Sequence, residues 1–151
     1  MTSRRQTLAL LAALPTGLAL APARARESAV FVQDGAAIMG TDPVAYFTEG
    51  RPVPGLAAHS LDWGGATWRF ASAENAARFE AEPEGHAPAY GGYCAWAVAQ
   101  GYLAPIEPAA WTIHEGRLFL NANERIRRRW LRDVPGFVAA ADKNWPGVLG
   151  S

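Results

Sequence analysis

The side chain with the clearest chemical potential is Cys94, the only cysteine among 151 residues. A single cysteine cannot form an internal disulfide, so it is inert packing, a metal ligand, a reactive thiol or half of an intermolecular crosslink. Gly91 and Gly92 precede a helix predicted over Tyr93 to Gln100. In the first turn of that helix, free N–H groups and the positive dipole end favour a thiolate. The position therefore favours a thiolate, but the residues alone leave open whether Cys94 is a reactive or metal-binding thiol or an inert buried one.

Three histidines are the candidate partners of this thiol. His59 lies in a predicted strand, where it can ligate a soft metal with Cys94, accept the proton of the thiol, or simply bind a backbone carbonyl in the core. His86 lies in a loop and is a weaker candidate ligand, and His114 is expected at the surface. One thiolate with imidazole ligands suits copper. No local spacing defines the site, so copper is a hypothesis that rests on ligand type.

Residues 1–25 have the features of an export signal. Arg4 and Arg5 precede a leucine, as in twin-arginine signals. The apolar run Leu8 to Leu20 is too short to cross a bilayer core of about 30 Å, and Ala23-Arg24-Ala25 has the small residues that signal peptidase accepts. We expect cleavage after Ala25 and a periplasmic or secreted protein without a membrane span. An ordinary secretory signal or a retained N-terminal anchor is the alternative.

Charge and motif content argue against several classes of function. Removing residues 1–25 leaves 11 basic and 14 acidic residues, so the mature domain is mildly acidic. It has no electrostatic reason to bind nucleic acid or an anionic membrane. The basic run Arg125 to Arg132 is expected to be the solvated face of a helix. The sequence also lacks a Gly-x-Ser-x-Gly elbow and a glycine-rich phosphate loop after a strand.

Turn and capping residues predict hairpins and helices in the mature chain. Gly64-Gly65 and Glu115-Gly116 are turn sequences flanked by short apolar strands, which is the pattern of a hairpin. The predicted strands are His59 to Trp63, Ala66 to Phe70, Trp111 to His114 and Arg117 to Leu120. Helices are predicted over Ser72 to Ala81, Tyr93 to Gln100, Asn121 or Asn123 to about Asp133, and Pro135 to about Lys143, after a helix start at Asp42 and Pro43. We predict an α+β fold with a small antiparallel sheet built from two hairpins and packed with about four short helices.

Residues His59 to Pro83 follow a recognisable order. They run from His59-Ser60 through a hairpin ending in Trp68-Arg69-Phe70 to a short helix with Phe79 and Pro83. This pattern resembles the YHS domain, a small module generally regarded as metal-binding. The resemblance implies that residues 26–151 form a single YHS-like domain.

Further stretches resemble the exported branch of the YHS family. They are Gly40 to Phe47, Tyr90 to Trp96 and Asn144 to Pro146. In some members of that branch, the position that matches Cys94 is a selenocysteine, which implies a chemically active residue there. The chain also departs from the family: Ala58 replaces the tyrosine of the motif, and Ala71 and residues 73–75 stand where metal-binding members carry cysteines. A multi-thiolate zinc site therefore cannot form.

These observations lead to one main hypothesis of function and two rivals. The main hypothesis is an exported YHS-like protein that binds a metal ion, with copper as the guess, or performs thiol redox work through Cys94 with a thiol partner. The first rival is a thiol-dependent redox enzyme with Cys94 as nucleophile and His59 as base, resolved by a thiol of a partner. The second rival is an interaction or small-ligand module in which Cys94 is buried and silent.

Overall fold

The fold is α+β, as predicted, but its strands do not form one sheet. The computed structural model describes residues 12–13, 16–17 and 26–150. Within them lie three separate two-stranded antiparallel sheets. The strands are β1 Val32–Gln33, β2 Ala36–Ala37, β3 Leu56–Trp63, β4 Ala66–Phe70, β5 Trp111–His114 and β6 Arg117–Leu120. The helices are α1 Pro43–Thr48, α2 Ala73–Ala81, α3 Pro83–His86, α4 Ala95–Gln100, α5 Glu124–Trp130 and α6 Val134–Asn144.

The predicted export signal lies almost entirely outside the described residues. Of residues 1–25, the structure describes only 12–13 and 16–17. Among the residues that it does describe, no helix is long and apolar enough to cross a membrane. Export and cleavage after Ala25 therefore stay predictions.

The first hairpin and helix α2 form one aromatic cluster. Gly64 and Gly65 both have positive φ, which lets β3 turn directly into β4. Ring centroids of Trp68 and Phe70 lie 5.2 and 5.1 Å from that of Phe79 on α2. All three rings are buried. The hairpin thus carries α2 over one face, with Trp68 and Phe70 both in contact with Phe79.

A buried carboxylate joins helix α1 to the same hairpin. Asp42 caps α1 by accepting hydrogen bonds at Oδ1 from the N–H groups of Val44 and Ala45. Its other oxygen, Oδ2, accepts from the N–H of Ala71 and from Nδ2 of Asn75, each at 2.8 Å. A fully buried carboxylate is tolerated only with such compensation. Asp42 is therefore a structural residue that fixes α1 against the start of α2.

The second hairpin packs with the C-terminal helices. Phe119 of β6 lies 5.2 Å, centroid to centroid, from Trp130 of α5, and Trp130 stacks on Phe137 of α6. Helix α4 packs on α6, where Nδ2 of Asn144 donates to the carbonyl of Val98 at 2.8 Å. This half of the domain therefore holds α4, whose first residue follows Cys94.

Three consecutive residues before Cys94 have left-handed backbone conformations. Tyr90, Gly91 and Gly92 have φ values of 59°, 63° and 85°. A side chain at Gly91 would clash with the carbonyl of Ala29, because the N-terminal segment crosses this loop closely and the N–H of Phe31 donates to the carbonyl of Gly91 at 2.9 Å. The glycine is needed for this close approach. Tyr90, in contrast, carries backbone strain that the surrounding contacts must hold.

Candidate functional site

Cys94 occupies the N-cap position of α4. The helix begins at Ala95, slightly later than the predicted start at Tyr93. The N–H of Cys94 donates to the carbonyl of Ala104 at 3.0 Å, and the carbonyl of Cys94 accepts from the N–H of Val98. The whole residue is only 1% exposed. The cysteine is thus held in the interior, at the positive end of a short helix.

Polar groups surround the Cys94 sulfur. The N–H of Ala122 donates to Sγ at 3.3 Å, and Sγ lies 3.6 Å from Oδ1 of Asn121. The reduced thiol can therefore donate its proton to Asn121 while it accepts from Ala122. Both partners come from the segment that follows β6, so the second hairpin positions the surroundings of the thiol.

Two opposing effects act on the pKa of Cys94, and burial is the larger. Desolvation raises the pKa of the thiol, while the backbone N–H groups of Ala97, Ala122 and Trp96 lower it. The net direction is upward from the ordinary value. The backbone N–H groups at the helix start do favour the thiolate, but burial outweighs them, because position in the chain does not reveal how fully the fold removes the sulfur from water.

Asn121 is the residue of this site that sequence reasoning missed. The sequence offers Asn121 or Asn123 as the cap of α5, and Asn123 has that role by accepting from the N–H of Ile126 at 2.9 Å. Asn121 is instead 0% exposed, and its Oδ1 accepts from the N–H of Trp96 at 3.2 Å. The polar side chain directly after the buried β6 residues Leu118–Leu120 was the available signal.

The amide of Asn121 has one unused donor. Its Nδ2 atom is buried and has no hydrogen-bond partner within the described part of the chain. Exchanging the amide oxygen and nitrogen would place a donor against the N–H of Trp96, so the orientation is determined by that contact. A buried amide donor without a partner is costly, and such atoms in native structures call for an explanation.

The histidines do not gather around Cys94 as partners of its thiol. His59 lies in the irregular part of β3 between Leu56 and Ser60, where the pairing with β4 shifts register. The prediction that His86 lies in a loop is wrong: it is the last residue of helix α3, and its Nδ1 lies 2.9 Å from the carbonyl of Glu82. Nε2 of His114 lies 3.9 Å from Oε1 of Glu115. None of the three is among the hydrogen-bond partners that the described residues provide to the thiol. Within these residues, no group of three or more His, Cys, Asp or Glu side chains could hold a metal ion.

A groove of about 550 Å³ is lined by two residues that adjoin or contact Cys94. Tyr93, the preceding residue, lines it, and so does Ala104, whose carbonyl accepts from the Cys94 N–H. Tyr102 is an exposed aromatic side chain on the same wall. A molecule in this groove would lie next to the residues that hold Cys94 in place.

Comparisons with family models, with curated proteins and with solved structures find no match to this chain. The resemblance to the YHS domain therefore stays a prediction from the sequence motifs.

Proposed function

We propose that this protein is an exported, YHS-like thiol redox protein whose reactive group is Cys94. The observation that supports the proposal best is the unused Nδ2 donor group of Asn121, which belongs to the same amide whose Oδ1 lies 3.6 Å from the sulfur. A reduced thiol leaves that donor without a partner. An oxygen atom bonded to the sulfur provides the missing acceptor, so oxidation to sulfenic acid improves the hydrogen bonding of the site.

The chemistry follows from a single thiol. The Cys94 thiolate attacks one oxygen of a hydroperoxide; the S–O bond forms, the O–O bond breaks, and the leaving alkoxide or hydroxide takes a proton to become an alcohol or water. The product is the sulfenic acid. Because the chain has no second cysteine, a thiol of a partner then attacks the sulfur, forms a mixed disulfide and releases water. A further external thiol returns Cys94 to the reduced state.

Access to the sulfur requires local opening. Cys94 is 1% exposed, so reagents reach it only when the structure around it opens. The segment 101–110, between α4 and β5, contains Ala104 and has little regular structure. Opening of this segment would expose the backbone at Cys94 to the groove, where a partner thiol can enter.

The main hypothesis from the sequence also included metal binding by Cys94, with copper as the metal. The described residues supply one thiol and no group of three or more His, Cys, Asp or Glu side chains that could hold a metal ion. Copper binding through Cys94 therefore stays a prediction from the ligand types in the sequence. A role for His59 or His86 as ligand, or for His59 as base, rests on the sequence alone.

The decisive experiment measures oxidation of the folded, mature protein. Hydrogen peroxide is added with dimedone, which traps sulfenic acid, and the adduct on Cys94 is measured by mass spectrometry. Cys94→Ser is the control. We expect a dimedone adduct without denaturant; an adduct that forms only after unfolding would mean that the cysteine is silent. Prior incubation with Cu(I) tests the metal hypothesis, since a bound ion would prevent labelling.

A further inference from the structure

A second site, separate from the thiol, lies where four chain segments meet. A pocket of about 270 Å³ lies between the end of β3, the loop around α3, the turn between β5 and β6, and the residue after α6. At a liquid volume of about 30 Å³ per water molecule, it holds roughly nine waters. That size suits a small ligand. Its lining includes the aromatic side chains of Trp63, Tyr90 and Trp145 and the charged side chains of Glu84 and Arg117.

The guanidinium of Arg117 is fixed at the edge of this pocket. Its Nη1 and Nη2 atoms donate to the two carboxylate oxygens of Asp142 at 3.2 and 3.0 Å. Its central carbon lies 5.1 Å from the ring centroid of Phe119 and 5.7 Å from that of Tyr90. Such bidentate and stacking contacts hold an arginine in one orientation. The side chain is nevertheless 44% exposed, so its remaining N–H donors stay accessible to a ligand.

Tyr90 joins the pocket to this ion pair. Its hydroxyl donates to Oδ1 of Asp142 at 2.8 Å, and its backbone has a φ of 59°. A left-handed, non-glycine residue persists only where surrounding contacts enforce it, and such residues are frequent at ligand sites. The hydrogen bond and the crossing of the N-terminal segment over Gly91 are those contacts. These contacts hold this part of the pocket wall in one backbone conformation.

We propose that this pocket binds a small monocarboxylate with a flat apolar body. The carboxylate pairs with the free N–H donors of Arg117, because a guanidinium recognises planar anions by paired hydrogen bonds. The apolar body lies on the indole and phenol rings of Trp63, Trp145 and Tyr90. Glu84 is the other charged residue of the lining. It disfavours a second negative charge, and it offers an acceptor to a ligand that also carries an ammonium group.

Two classes of ligand share this chemistry, and binding measurements separate them. Benzoate represents simple aromatic acids, L-phenylalanine represents amino acids, and benzylamine carries only the positive charge. Calorimetry and quenching of tryptophan fluorescence report saturable binding to the mature protein. We expect benzoate or L-phenylalanine to bind and benzylamine not to bind. Glu84→Gln should increase the affinity for benzoate and decrease the affinity for L-phenylalanine. Absence of saturable binding of both carboxylates at millimolar concentration would overturn the proposal.

Variants of the Arg117–Asp142 ion pair distinguish a binding role from a merely structural one. Arg117→Met should lower the affinity for the carboxylate ligand about tenfold or more, since it removes charged hydrogen bonds. Asp142→Asn should raise this affinity, because it removes the negative charge that partly neutralises Arg117 and repels the ligand carboxylate. If the ion pair were purely structural, both variants would lose ligand binding to the same extent. That result would contradict the proposal. Arg129→Met is the matched control for charge, and Cys94→Ser should leave binding unchanged because this site does not depend on the thiol.

Discussion

Oδ1 of Asn121 lies 3.6 Å from Sγ of Cys94, although the two residues are 27 positions apart in the chain. The same oxygen accepts from the N–H of Trp96. One buried amide thus connects the end of β6 with the beginning of α4. Its Nδ2 donor has no partner within the described residues, and the proposed redox role of Cys94 rests on this feature.

The first prediction concerns the pH dependence of thiol reactivity. Because burial raises the pKa of Cys94, the fraction present as thiolate at pH 6 is smaller than for a free cysteine, whose pKa is about 8.5. Alkylation of the native protein by iodoacetamide should therefore be slow at pH 6 and rise toward pH 10. The rate is measured by mass spectrometry against a cysteine-containing peptide. A native-state rate at pH 6 that exceeds the peptide rate would contradict the expected direction.

The same shift affects stability, and its sign can be worked out. Above the pKa of the unfolded thiol, about 8.5, the unfolded state has released a proton that the folded state still holds. The unfolded state then binds fewer protons, so stability falls as the pH rises. Tyr46 and Tyr90, whose pKa values are also raised, act in the same direction. Cys94→Ala should remove only the contribution of the thiol to this pH dependence. Urea unfolding should then show a shallower loss of stability between pH 8 and 10.

The role of Asn121 is tested by Asn121→Asp. The substitution keeps an oxygen for the N–H of Trp96 but replaces the spare donor with an acceptor and adds a negative charge beside the sulfur. We expect slower oxidation of Cys94 and a shorter-lived sulfenic acid, measured by dimedone trapping over time. Asn123→Asp is the matched control, because it keeps the acceptor that caps α5. Equal oxidation kinetics in both variants would remove Asn121 from the mechanism.

Asp42 is predicted to be among the most sensitive positions for stability. Asp42→Ala removes a helix cap and leaves the N–H of Ala71 and the amide of Asn75 without their acceptor. Loss of a cap costs about 1 kcal/mol, and each unsatisfied buried group about 1–3 kcal/mol. Because these two donors are only partly buried, the lower end of that range applies to each, and we expect the free energy of unfolding to fall by about 3 kcal/mol in urea titration. Ser72→Ala, which removes only the cap of α2, should cost about 1 kcal/mol.

The aromatic cluster gives a further test of the fold. Phe79→Ala should lower the free energy of unfolding by about 3–5 kcal/mol, because it removes a ring that contacts Trp68 and Phe70. Leu131→Ala is the control, since Leu131 is 44% exposed and surface changes usually stay within about 0.5 kcal/mol. Similar unfolding midpoints for the two variants would contradict the packing described above.

Export is tested independently of the folded domain. The full chain is expressed in a bacterium with a twin-arginine system, and cell fractions are analysed by N-terminal sequencing. We expect a periplasmic form that begins at Arg26. If export uses the twin-arginine route, the double substitution Arg4→Lys and Arg5→Lys should keep the protein in the cytoplasm. On another export route, it should not. An intact form that begins at Met1 and stays in the membrane would show that the segment is an anchor.

Local sequence signals predicted most of the regular structure. The turn at Gly64-Gly65, the caps Asp42 and Ser72, and the left-handed Gly101 after α4 act through backbone preferences of a few neighbouring residues. The contact between the first hairpin and Phe79 was also predictable, because a short turn brings α2 back onto the strands before it. These local preferences act in the same way wherever in the fold a segment is placed.

The candidate sites were decided by tertiary structure. The sequence identified Cys94, but its burial, its raised pKa and its pairing with Asn121 depend on how α4 lies against the residues after β6. The pairing of Arg117 with Asp142 likewise joins a hairpin turn to a helix 25 positions away. Desolvation and long-range hydrogen bonds depend on distances in space, which a linear pattern of residue types does not encode. The sequence by itself therefore determined the elements and the one thiol, and the packing of the two hairpins with the helices decided which groups surround it.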